Sequence, residues 1–93
     1  MLRIEIIANQ SVEENIIDAL KDHGVGKYYT LYPNVHGIGN SGPHMGDAVW
    51  PEENFAIVIW CEKEEARKIY QAVAGVKEKY PDEGIKVFGV PGR

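Results

Sequence analysis

Ninety-three residues with a net charge of −4 and a single cysteine fit one domain spanning 1–93 and exclude an intrachain disulfide. Arg67-Lys68 is the only adjacent basic pair, which argues against duplex nucleic acid as a partner, because such binding rests on several phosphate-neutralising Lys and Arg. No apolar run approaches the roughly 20 residues of a membrane helix, and the first strand is too short and too charged for a signal peptide, so the expected home is the cytoplasm.

Residues 2–8 alternate. Leu2, Ile4, Ile6 and Ala8 face one way, while Arg3, Glu5 and Ile7 face the other, and period two with β-branched residues predicts a strand. Asn9-Gln10 reads as a short turn. Ser11 and Glu14 have the spacing of a capping box, in which the Ser hydroxyl and the Glu carboxylate each accept from the other's backbone amide. Val12, Ile16, Ala19 and Leu20 follow at helical spacing, and Gly24 after His23 is a left-handed stop, so a helix is expected over 12–23.

Aromatic and β-branched content predicts a second strand over 27–33. Residues 55–61, FAIVIWC, form a third strand so apolar that both faces are expected to be covered, one by a helix and the other by the loop or a second subunit. A second helix is expected over 62–79, with Ala66, Ile69, Tyr70, Val73 and Val76 on its buried stripe and Tyr80 completing it. Glu64 and Glu65 near its start and Lys77 and Lys79 near its end suit the helix dipole. Pro81 ends it, Gly84 follows, and a last strand covers 85–90. The order β-α-β-β-α-β predicts an α+β, ferredoxin-like fold: an antiparallel four-stranded sheet with two helices on one face. The other sheet face is then bare and partly apolar, which usually marks an interface, and a closed homo-oligomer is the economical way to cover it.

Between strands two and three lies a long loop, about 34–54, with four glycines, two histidines, Met45 and Asp47. A compact domain rarely carries so long an irregular segment without a use for it. Two chemistries are open to it. His36, His44, Met45 and Asp47 combine imidazole, thioether and carboxylate, a donor set for a transition metal, with the thioether favouring copper(I). Alternatively Gly37, Gly39, Gly42 and Gly46 allow close backbone approach, and successive amides form a nest for an anion or a nucleotide phosphate, with Lys86 as a charge partner. Cys61 ends an apolar strand beside Glu62 and Glu64, which blunts a thiol, so it reads as a core residue and not a nucleophile. No positioned nucleophile or orienting partner supports an enzyme.

The chain resembles the PII-like and CutA-like superfamily of small trimeric proteins on four features in order. These are the ionic-apolar alternation of MLRIEIIA, the turn Gly24-Val25-Gly26, the Gly37-Ile38-Gly39 motif that opens the long loop, and the closing Gly84-Ile85-Lys86-Val87-Phe88. The resemblance implies a homotrimer and a regulatory protein that is not an enzyme. It would bind a small ligand at inter-subunit clefts through its glycine-rich loop and touch a partner protein with that loop. The implied ligand site comprises His36, Gly37, Gly39, Gly42, His44, Asp47 and Lys86. The CutA-like alternative is a divalent-metal or copper protein using His36, His44 and Met45. The sequence departs from the PII pattern at 80–84, which is short and acidic where PII proteins carry a longer glycine-threonine-rich turn, and acidic side chains repel a triphosphate.

Overall fold

The computed structural model describes residues 1–36 and 53–92. Chain order is β1 (Leu2–Asn9), a 3-10 turn (Gln10–Val12), α1 (Glu13–Asp22), β2 (Thr30–Val35), β3 (Asn54–Cys61), α2 (Lys63–Lys79) and β4 (Ile85–Pro91). The sheet runs β2-β3-β1-β4 with every neighbour antiparallel. This is the expected ferredoxin-like arrangement.

The core follows from the period-two alternation of the strands. Ile4, Ile6 and Ala8 of β1, Phe55, Ile57, Ile59 and Cys61 of β3, and Ile85 of β4 meet Ile16 and Leu20 of α1 and Ala66, Ile69, Ala72, Val73 and Val76 of α2 in one buried cluster. Side chains of the opposite parity are left on the face without helices. The stripe on α2 differs from the expected one at two positions: Ala72 is buried, whereas Tyr70 is 40% exposed. Tyr70 lies at the border of the helix–sheet contact, with its hydroxyl over Gly89.

Helix α1 starts differently from the capping-box expectation. Asn9 is the last residue of β1, and its side chain accepts from the Ser11 amide at 2.9 Å. That Asx-type contact starts the 3-10 turn, and α1 then begins at Glu13 with no side-chain cap of its own. The other end of α1 behaves as expected. Gly24 has φ +66°, its amide reaches the Lys21 carbonyl at 2.9 Å, and the Val25 amide reaches the Leu20 carbonyl at 2.9 Å. This is a Schellman closure, completed by burial of Val25 with Leu20.

Strand β2 starts three residues later than 27–33 predicts. Gly26, again at φ +66°, redirects the chain, and Glu65 of α2 accepts from its amide at 2.9 Å. Pairing with β3 begins only at Thr30 opposite Val58 and shifts register between Tyr32 and Val35. Asn34 takes up the extra residue at φ 56°, and Pro33, which has no N–H to give, is tolerated because β2 is an edge strand. On β3, Ala56 and Val58 are buried within the single chain while Trp60 is 55% exposed. Low exposure on both faces of the strand is therefore met at Ala56 and Val58 and not at Trp60.

Candidate ligand-binding site

The helix-free side of the sheet is organised by register into rows. Trp60, Arg3 and Val90 form one row; Thr30, Val58, Glu5 and Phe88 the next; Tyr32, Ala56, Ile7 and Lys86 the third. Arg3 and Glu5 are bound to one another, Nη1 to Oε2, at 2.7 Å. Between this pair and the β2 edge lies an open depression of about 320 Å³. Ile7, Val35, Ala56 and Val58 supply apolar lining, and Arg3, Glu5, Tyr32, His36 and Asn54 supply polar groups.

The depression sits where the chain leaves and re-enters the sheet around residues 37–52. Gln10 ties the two feet of that segment together. Its backbone amide donates to the Glu53 carbonyl at 3.0 Å, and its side-chain Nε2 donates to Asn34 Oδ1 at 2.8 Å. The 3-10 turn that follows β1 therefore fixes both ends of the long connection. An apolar floor with a few polar groups at its rim is the usual composition of a small-molecule site.

Of the residues singled out in the sequence, His36 is exposed and lines this depression. Lys86 is exposed on β4, on the same sheet face and opposite Ile7, but at the far edge from β2. Three strand spacings of roughly 4.8 Å put it about 14 Å from that edge, so one chain does not bring His36 and Lys86 together. Gly37, Gly39, Gly42, His44, Met45 and Asp47 lie outside the described residues. Among the described residues no three His, Cys, Asp or Glu side chains converge in a metal-ligand cluster.

Arg3, Glu5, Tyr32 and Asn54 line the depression and Gln10 bonds to Asn34 and Glu53 beside it, yet motif reading did not single them out. The alternation of β1 carried the signal for Arg3 and Glu5, since it places them on the bare face. Gln10 carried no local signal.

The turn before β4 is closed by the Glu83 amide donating to the Tyr80 carbonyl at 3.1 Å, and it is joined to β1 by the Asn9 amide donating to the Gly84 carbonyl at 3.0 Å. Asp82 and Glu83 stand in it with no basic neighbour in the 80–84 segment. Cys61, at the opposite end of β3, is buried. Burial, and then the carboxylates of Glu65 and Glu62, push its thiol above the ordinary range, with the amino terminus pulling weakly the other way. A thiol so placed is a poor nucleophile.

A family model described as nitrogen regulatory protein P-II matches residues 1–91. The chain belongs to the nitrogen regulatory protein P-II family. Solved structures agree at the level of fold. The PII-like protein CPII of Thiomonas intermedia, bound to ADP, AMP and bicarbonate, superposes with a TM-score of 0.65 at 21% identity, covering 99% of this chain and 88% of that one. Its apo form gives 0.65 at 20% identity over 99% and 91%. A PII-like signalling protein of Thermus thermophilus gives 0.64 at 20% identity over 96% and 83%. No curated protein sequence matches significantly. Within this P-II chain no helix among the described residues is long and apolar enough to cross a membrane.

Proposed function

We propose that this P-II family member is a non-catalytic regulator that binds a small anionic ligand of the adenine mono- or diphosphate class at the foot of its long glycine-rich connection, in a homotrimer closed through the bare sheet face. The observation that carries the reading is the depression beside His36, floored by Ile7, Val35, Ala56 and Val58 and framed by the Gln10 ties to Asn34 and Glu53. Family membership supports it, and so does the binding of ADP, AMP and bicarbonate by CPII. The fit favours fewer phosphates over more, because Asp82 and Glu83 occupy the turn before β4 and repel a triphosphate.

The ligand residues in this reading are His36, Gly37, Gly39, Gly42, His44 and Asp47 from the connection, with Lys86 joining from a neighbouring copy. In one chain Lys86 sits at the far sheet edge, so its charge serves the ligand only across a seam between copies. Ligand binding would alter the contacts that the connection offers a partner protein, a switch that needs only a difference in affinity between two states.

Calorimetric titration of the purified chain with AMP, ADP, ATP and bicarbonate tests the reading. Saturable heat for AMP or ADP, weaker for ATP and reduced by K86A and by H36A, is the expected result. Absence of binding by all four would refute it, and ATP binding tighter than ADP would refute the role given to the acidic turn.

A further inference from the structure

The bare sheet face carries one feature that no purely apolar covering would tolerate. Arg3 and Glu5 stand on the central strand β1 with side chains 35% and 28% exposed, joined at 2.7 Å. Register places Trp60 and Val90 beside Arg3, and Val58 and Phe88 beside Glu5. Trp60, Phe88 and Val90 are about half exposed. An ion pair on the central strand is thus flanked on both sides by apolar side chains, with Thr30, Tyr32 and Lys86 the other polar groups of the three rows. In an isolated copy water solvates it. A body that covers the face strips that water, and desolvation outweighs the mutual attraction of the pair unless the cover supplies further hydrogen bonds.

The cover must therefore offer an acceptor to the guanidinium and a donor to the carboxylate, beside apolar groups that meet Trp60, Val58, Phe88 and Val90. A second copy of this chain brings that combination, because it carries the same cation and anion two residues apart on the same kind of face. A guanidinium has several N–H donors and a carboxylate several acceptor sites, so the one short contact within a chain leaves capacity on both partners.

We infer that Arg3 and Glu5 select what covers the bare face: Arg3 of each copy pairs with Glu5 of the next around a closed ring, so the face accepts a copy of itself and rejects a surface without the matching charges. This rests on the assembly proposed above and adds to it the element that chooses the partner.

Sedimentation velocity and native mass spectrometry of wild type, R3E, E5R and the double swap R3E/E5R test it. Each single variant sets like charges against each other and raises the apparent dissociation constant of the assembly on the order of a hundredfold. The double swap keeps an internal ion pair and assembles with itself as wild type does. Isotopically labelled wild type mixed with the double swap sorts into homotypic assemblies, since every mixed contact opposes like charges. Should a single variant not fold, the mixing experiment alone decides, because both of its components retain the pair. Single variants that assemble as wild type does, a double swap that stays monomeric, or statistical mixing would overturn the inference while leaving the assembly itself standing. A monomeric wild type overturns both.

Discussion

Gly89 on β4 and Tyr70 on α2 form a contact whose energetics are worked out most directly by a double-mutant cycle. Gly89 pairs with Ile4 across the sheet and faces the helices, where a Cβ would collide with the Tyr70 hydroxyl and stand 3.1 Å from Ile4 Cδ1. In G89A the exposed Tyr70 ring swings away and gives up its packing, while Ile4, fully buried, shifts by a few tenths of an ångström. Overpacking of this kind costs about 2 kcal/mol. Replacing glycine inside a strand returns roughly 0.5–1 kcal/mol of backbone entropy, so G89A should destabilise by about 1 kcal/mol, or roughly 4–8 °C in Tm for a chain of this size. Removing the hydroxyl changes the balance: the next Tyr70 atom, Cζ, lies 3.5 Å from the added methyl, an ordinary contact. In a Y70F background G89A should therefore be close to neutral, with Y70F alone costing less than about 0.5 kcal/mol. Urea denaturation of the four proteins at one fixed concentration measures the coupling, about 1 kcal/mol. Equal losses for G89A in both backgrounds would show that the hydroxyl is not what glycine makes room for.

Three further outcomes follow from the same structure. Gly24 and Gly26 share φ +66°, but a Cβ meets nothing at Gly24 and meets Leu20 Cδ1 at 3.3 Å and Ile59 Cδ1 at 3.4 Å at Gly26; G24A should cost about 1 kcal/mol for backbone strain alone and G26A about 2 kcal/mol with crowding added, and equal costs in urea would refute the assignment. Tyr80→Phe removes the acceptor for Asn15 Nδ2 at 3.1 Å and should cost about 1 kcal/mol, with a neutral result in thermal melts counting against that bond. Burial, then Glu65 and Glu62, raise the Cys61 thiol above its ordinary 9.0; the unfolded chain then loses this proton at lower pH than the folded one, so stability falls as pH rises beyond that value, and wild type should lose stability relative to C61A above it in a pH series of urea titrations, with a constant difference between the two refuting the claim.

The fold was legible because its decisive signals are local and periodic. The alternation of β1 separates Ile4, Ile6 and Ala8 from Arg3, Glu5 and Ile7 without reference to anything else in the chain, and the same rule applied to β3 and β4 fixes both sheet faces. The misses occur where a non-local contact overrides a local preference. Ser11 and Glu14 have capping-box spacing, yet Asn9 reaches the Ser11 amide first, because β1 continues to Asn9 opposite Asn54 and presents its side chain to the turn. Lys27, Tyr28 and Tyr29 have strand-forming neighbours, yet Glu65, thirty-nine positions away in sequence, holds the Gly26 amide and delays pairing until Thr30. Tyr70 has the right helical phase for the core, yet it lies at the edge of the sheet, where only its hydroxyl end overlaps β4.

The candidate site divides along the same line. Glycines and histidines crowded into 34–54 drew attention by composition, and His36 does line the depression. Arg3, Tyr32 and Asn54 come from three different strands and converge only through the β2-β3-β1 register, which no single stretch of sequence encodes. Gln10 shows the difference most clearly. Its neighbours read as a turn and nothing more, but a one-residue register shift between Tyr32 and Val35 puts Asn34 at positive φ with its side-chain oxygen 2.8 Å from the Gln10 amide nitrogen. A bulge in an edge strand thereby links the 3-10 turn after β1 to the foot of the long connection. The residue that frames the site is thus set by a pairing irregularity, a feature that propensity and spacing do not specify.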